Sequence, residues 1–305
     1  MPPFDILGLG AVAVDDLLFV DRYPPADVKT LVRRRERHCG GLTATALVAA
    51  ARLGARCAYA GVLGDDPLSD FAVQAMAREG IDLAYLRRAE AARPAVAAIV
   101  VDTVRQTRNI FVDINALVGA APDWPPPEVV QSSRVLLVDP FGVDGMLRAA
   151  RLACAAGIPV VADLEATGPE VARLMDAADH LILSWDFAGP FTGAPSPAEA
   201  ALALWRPGRQ AVVVTHGDQG CWYVAAPDSG RAVHQPAFRV EPVDTTGCGD
   251  VFHGAYAAAL VRGLPIGERL RLASAAAALK ATRAGGQAGA PTRAEVEHFL
   301  KETTA

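Results

Sequence analysis

Short apolar runs alternate with amphipathic, alanine-rich stretches of helix length through most of the chain. Leu136-Leu137-Val138-Asp139 and Pro159-Val160-Val161-Ala162-Asp163 read as strands, as do Leu181–Ser184 and Ala211–Thr215. Between them, Gly145–Ala156 (stopped by Gly157), Pro169–Ala177 and Pro197–Trp205 read as helices. Alternation of this kind predicts a mostly parallel sheet covered by helices on both faces. Several of the strands end in Asp, Ser or Thr, at the carboxyl edge where such sheets bind ligands.

The first third has a different rhythm. Leu17–Val20, Thr30–Arg35, Val96–Val101 and Asn109–Val112 look like strands without a helix for each, which predicts a small extra β-layer drawn from about residues 12–38 and 94–114. Thr43–Leu53 reads as a helix stopped by Gly54. Asp66-Pro67 opens another, because proline suits the first helical position, and Gly80 closes it. Thr292-Arg293-Ala294-Glu295 is a capping box before a last helix, and Pro125-Pro126-Pro127 reads as a rigid loop.

Bulk composition narrows the class. The chain has 305 residues, 51% of them apolar, enough for a large core, and one α/β domain over 1–305 is expected. A formal charge of −5 provides no basic field for nucleic acid or an anionic membrane. No apolar run approaches the roughly 18 residues a membrane span needs. Met1-Pro2-Pro3-Phe4-Asp5 has no basic region followed by an apolar stretch, so a cytoplasmic protein is expected. Five scattered cysteines, Cys39, Cys57, Cys154, Cys221 and Cys248, fit neither a disulfide framework nor a zinc site and read as small buried hydrophobes.

The most informative stretch is Val243-Asp244-Thr245-Thr246-Gly247-Cys248-Gly249-Asp250, followed by an apolar helical run to Leu260. Gly247 and Gly249 let the backbone turn tightly and approach a ligand closely. The turn feeds a helix start, where unpaired N–H groups and the helix dipole favour an anion. Amides of Gly247, Cys248, Gly249 and Asp250 around a phosphoryl group, with the Asp250 carboxylate alongside as base, form a kinase arrangement. The plainer reading of the same residues is a helix-capping Asp behind a glycine-rich turn. His253, three positions past Asp250, reads as a packed or hydrogen-bonded structural histidine.

The string from Asp244 to Asp250 resembles the D-T-x-G-A-G-D signature of the PfkB (ribokinase-like) carbohydrate kinase family, with Cys248 in place of Ala. Gly40-Gly41-Leu42-Thr43-Ala44-Thr45-Ala46 resembles the family's N-terminal Gly-Gly signature, and Thr215-His216-Gly217-Asp218-Gln219-Gly220 is similar to its nucleotide loop. The resemblance implies a ribokinase-like three-layer sandwich with a small β-sheet lid, often shared across a homodimer. It also implies transfer of the ATP γ-phosphoryl group, with Mg²⁺, to a sugar or nucleoside hydroxyl.

Further site residues follow from the resemblance. Asp15 would bind substrate hydroxyls at the end of the first strand, with Asp16 beside it as an alternative, and Asp27 resembles a second such contact in ketohexokinases. Gly40 and Gly41 would lie against the sugar, with Thr45 where many relatives carry Asn. Thr215, Gly217, Gly220 and Thr245 would meet the nucleotide, with Ser274 and Ala277 beside adenine, although a hairpin turn and helix packing also explain some of these. Ser184-Trp185-Asp186-Phe187 stands where relatives often have N-x-x-E, so Asp163 and Glu165 become the candidates for ordering Mg²⁺. Many relatives also bind a monovalent cation such as K⁺ near the loop that starts at Asp244.

The last third, including Gln235-Pro236-Ala237-Phe238 and Ala278-Leu279-Lys280-Ala281-Thr282-Arg283-Ala284-Gly285-Gly286, resembles bacterial sulfofructose kinases. Val112 and Phe141 stand where a sulfonate would need polar partners. A ketohexose or related monosaccharide is the expected acceptor. A nucleoside, flanked by Phe111 and Phe141, and a ligand-binding protein with little turnover are the alternatives.

Overall fold

The computed structural model describes residues 3–105, 107–227 and 230–303. Met1, Pro2 and the outer ends of the 1–305 unit lie outside them. In chain order the first half forms β1 (Ile6–Leu9), β2 (Ala13–Val20), β3 (Arg34–Gly40), α1 (Leu42–Arg52), β4 (Cys57–Tyr59), β5 (Val62–Leu63), α2 (Pro67–Arg78), β6 (Arg87–Arg88), β7 (Ala95–Asp102) and β8 (Thr107–Asp113). Then come α3 (Pro127–Gln131), β9 (Val135–Val138), α4 (Val143–Ala155), β10 (Val160–Asp163), α5 (Pro169–Ala177), β11 (His180–Ser184), α6 (Trp185–Thr192) and α7 (Pro197–Leu204). Strands β12 (Ala211–Thr215), β13 (Cys221–Ala225) and β14 (Val233–Gln235) precede three final helices, α8 (Cys248–Val261), α9 (Ile266–Ala281) and α10 (Arg293–Glu302).

The central sheet has the order β14-β13-β12-β11-β10-β9-β1-β4, parallel from β12 to β4, with β13 and β14 antiparallel at one edge. Its parallel strands are buried almost throughout, as a sheet covered on both faces requires. One core layer joins the sheet to α1, α8 and α9, the other to α4 and α5. Helices α1 and α8 pack so closely that a Cβ added to Gly254 would lie 2.0 Å from the Ala46 carbonyl oxygen. Local signals hold at several ends: Asp66 accepts from the Leu68 and Ser69 amides, and Thr292 and Glu295 complete the capping box. No helix among the described residues is long and apolar enough to cross a membrane.

A separate four-stranded sheet, β3-β2-β7-β8, stands where the lid is expected. Two sequence expectations change here. The strand expected at Thr30–Arg35 is Arg34–Gly40, and the one expected at Leu17–Val20 begins at Ala13. The charged run Arg34–His38 looks unlike a strand, but across β2 it finds a carboxylate: Arg37 donates to both oxygens of Asp16 and Arg35 to one. Such cross-strand pairs are what stabilise a sheet with an exposed face.

Two smaller expectations also change. The proline run leads into α3 instead of forming only a loop, with Pro126 preceding its first turn. Cys154 faces outward from α4 and is exposed, and Cys248 is half-buried, so only Cys39, Cys57 and Cys221 are buried thiols.

Candidate active site

Helix α8 starts from Gly247, whose φ of 76° is the left-handed conformation that glycine adopts most readily. The Cys248 amide is spent on the Thr245 carbonyl (3.2 Å) and the Val251 amide on Gly247 (2.9 Å). The Gly247, Gly249 and Asp250 amides have no partner among the described residues, and a Cβ added to Gly249 would meet nothing within 4 Å. Of the four amides expected to cradle an anion over Gly247–Asp250, only that of Cys248 is spent within the protein, and the other three are left at an open helix start.

Asp250 stands in that first turn, above the carboxyl edge of the sheet. Burial, then the negative field of Asp163, pushes its carboxyl well above the usual carboxylate range, with His253 opposing the shift. Asp163, buried at the end of β10, is raised in the same way, by burial and then by Glu165 and Asp139. His253 is 4% exposed and serves structure, as expected: Nδ1 lies 2.8 Å from the Gly249 carbonyl and 3.2 Å from Asp163 Oδ2, and Nε2 lies 3.1 Å from the Ile182 carbonyl. It fixes the cradle's backbone to the sheet edge.

Asp139, just past β9, was visible in the sequence only as a strand end. Fully enclosed, it accepts from the Ala11 amide (2.6 Å), Thr43 Oγ1 (2.8 Å) and the Phe141 amide (2.9 Å). It ties the end of β1 to the start of α1, and a Cβ on Gly10 would strike its carboxylate at 2.1 Å.

Asp15 and Asp16 lie inside β2 and not at the end of the first strand, so strand alternation sends them to opposite faces. Asp16 is saturated by Arg35 and Arg37. Asp15 leans over Gly40, where a Cβ would meet its Oδ2 at 2.6 Å, and burial raises its carboxyl despite the opposing charge of His38. Gly41, at φ 95°, passes so close to Ala11 that a Cβ would lie 2.5 Å from its carbonyl oxygen. Thr45 is buried beneath Gly247, whose Cβ would fall 3.5 Å from its methyl group.

Register puts Asp15, Ala97 and Val112 in one row, and Arg108 on the same lid face two rows along. Arg108 reaches from β8 to Thr246 Oγ1 and lies 3.4 Å from Asp244 Oδ1, so this lid face is turned to the cradle. Nothing in the sequence pattern distinguished Arg108 from other exposed arginines. Phe111 shares its row with Ala98 and Asp16, on the opposite face.

Other expected residues are less closely joined. Asp27 is on the exposed segment between β2 and β3, at φ 60°, with no side-chain hydrogen bond among the described residues. Thr215, Gly217 and Gly220 form the turn of the β12–β13 hairpin. Gly220 is needed there for packing, since a Cβ would strike the Gln235 carbonyl oxygen at 2.2 Å, while Gly217 is open. His216 lies near Trp185 and Trp222, with Nδ1 buried and unpartnered among the described residues. Thr245 is exposed, Ser274 buried and Ala277 half-buried. Ser184 caps α6 through the Phe187 amide (3.3 Å). Glu165 is exposed beside Asp163, and no group of three or more His, Cys, Asp or Glu among the described residues could hold a metal.

Burial pushes the Asp139 carboxyl up to about 6 from 3.8, against the three hydrogen bonds. The native state thus holds a proton that the unfolded chain releases, so this group's contribution to stability falls as pH rises from about 4 to about 6. Asp139→Asn removes the titration. In urea unfolding, the stability advantage of wild type over this variant is expected to shrink by up to about 3 kcal/mol between pH 4 and 7. A constant or widening gap would contradict the assignment.

A model of the pfkB family of carbohydrate kinases matches residues 5–293. The chain is 30% identical over 303 residues to a ribokinase of Bacillus subtilis, covering 97% of this chain and 99% of the relative. It is 28% identical over 289 residues to fructokinase-1 of Zea mays, with 86% and 88% covered. Among solved structures, a ribokinase of Thermotoga maritima superposes with a TM-score of 0.83 at 27% identity, covering 98% of this chain and 99% of that one.

Proposed function

The chain belongs to the pfkB family of carbohydrate kinases, and from that premise we propose that it transfers the γ-phosphoryl group of ATP to a hydroxyl of a monosaccharide, a ketohexose or related sugar. The observation that carries this reading is Asp250 in the first turn of an open helix start, where the Gly247, Gly249 and Asp250 amides have no partner among the described residues. The acceptor hydroxyl gives its proton to Asp250 as its oxygen attacks phosphorus. The Gly249 and Asp250 amides neutralise charge spreading over the phosphoryl oxygens, with the α8 dipole behind them. Arg108 adds a cation from the lid side.

Asp15 accepts from sugar hydroxyls, and Gly40 leaves room for the sugar against the backbone. The nucleotide lies toward Thr215, Gly217 and Thr245, with Ser274 and Ala277 on its base side. Mg²⁺ bound with the phosphates would offset their charge, and Asp163 and Glu165 are the carboxylates that would hold its water. A sugar is favoured over a nucleoside because Phe111 faces away from Asp15. Free cysteines and the lack of a membrane-spanning helix among the described residues support a cytoplasmic setting.

A homodimer through the lid completes the reading. Strand β8 is exposed at every residue, and Leu31, Ile110, Phe111, Val112 and Ile114 leave apolar surface uncovered on the lid. Sedimentation is expected to give a dimer that Phe111→Glu weakens; a wild-type monomer at micromolar concentration would refute the assembly.

A coupled ADP-release screen of sugars against nucleosides tests the activity. Asp250→Asn is expected to lower turnover of the best sugar by roughly 10²–10⁴-fold with ATP binding retained. Sugar-independent ATP consumption, or full activity in the variant, would sink the assignment. Because burial and then Asp163 raise Asp250, and the base must be ionised, kcat/KM should rise with pH across that raised range. Asp163→Asn removes one negative neighbour and should move the acidic limb to lower pH. A limb that stays in place would rule out the coupling.

A further inference from the structure

Lys280, in the last turn of α9, is 0% exposed. Lysine is almost never fully enclosed unless its charge is matched, because an ammonium leaving water loses most of its solvation. The match here comes mainly from main-chain oxygens. Nζ donates to the Asp244 carbonyl at 2.7 Å and the Arg283 carbonyl at 3.0 Å, and Asp244 Oδ2 lies 3.9 Å away. The same Asp244 carboxylate accepts from the Thr246 amide and the Gly285 amide, both at 2.9 Å. One ammonium thus joins two backbone segments: the loop that feeds α8, and the turn after α9 that packs against Gly247 through Gly286.

Inward-facing carbonyl oxygens around a single positive charge are the chemistry of a monovalent cation site. That is the ion the family resemblance leads one to expect near Asp244. The residues present do not fit a mobile ion, because the Asp244 and Arg283 oxygens are already turned to Nζ and a second cation would meet it at close range. We infer that Lys280 is a tethered internal cation that replaces a bound monovalent ion and holds the phosphoryl-binding loop in position. It is a positioning residue, acting through Asp244 and the backbone of the loop. The positive field reaches the cradle itself, since Lys280 opposes the rise of the Cys248 thiol, which burial produces. Burial lowers the ammonium's own pKa while Asp244 opposes that change, so the charge and the loop geometry support each other.

The inference rests on the kinase reading for its rate arm, so two ion-binding arms are kept independent of turnover. At matched ionic strength in KCl, NaCl and choline chloride, wild type is expected to phosphorylate its best sugar at rates within about twofold and to melt at the same temperature, since an ion without a site stabilises nothing. Crystals of wild type soaked in RbCl should show no anomalous peak between the Asp244 and Arg283 carbonyls.

Lys280→Ala opens that space. It is expected to lose about tenfold or more in kcat/KM, and K⁺, but not choline, should restore rate and melting temperature. Lys280→Met fills the space without charge and should not be rescued. Stimulation of wild type by K⁺ of more than about fivefold over choline, or a rubidium peak at those oxygens, overturns the inference. So does a folded Lys280→Ala protein that K⁺ leaves unchanged. If the variants do not fold, the wild-type arms decide alone. If no sugar is phosphorylated in any salt, the kinase reading fails, while melting and diffraction still decide this one.

Discussion

Helix α8 begins at the sheet's carboxyl edge with amides, Gly249 and Asp250 among them, that no neighbour among the described residues satisfies, and the surrounding structure holds that end in place. An exposed helix start usually finds a capping side chain. Here no side chain among the described residues caps it, and Gly247 turns the chain sharply into the helix. Fixation comes from below and behind: His253 ties Gly249 to the end of β10, Asp244 gathers the Thr246 and Gly285 amides, and Lys280 draws the Asp244 and Arg283 carbonyls together.

The same edge concentrates negative charge. Asp139 lies close enough to raise Asp163, and both raise Asp250, yet each of the three has a different environment. Asp139 is enclosed by donors and shapes the β1–α1 junction. Asp163 is paired with His253. Asp250 alone stands beside the free amides. Carboxylates of identical chemistry are thus given different surroundings by what each of them touches.

The lid contributes through strand alternation. One face of β2 commits Asp16 to arginines that hold β3, and the other offers Asp15 over Gly40. Arg108 shares the Asp15 face and bridges to the cradle loop, so the extra sheet is coupled to the site through named contacts.

Periodicity and punctuation alone determined the alternating α/β layout, most helix ends and the glycine-rich start of α8, because these depend on neighbours within one turn or strand. The Asp244–Asp250 string was legible for the same reason. Residues paired across long sequence separations were not. Arg108 and Thr246 are joined across 138 positions of the chain, Asp139 is defined by Ala11 and Thr43, and β3 became a strand through the cross-strand partner of its charged run. Lys280 in sequence is one more basic residue at a helix end. Only tertiary packing removed its water and brought the distant Asp244 carbonyl to it beside that of Arg283, since burial and the direction of a dipole belong to the folded arrangement and to no local pattern.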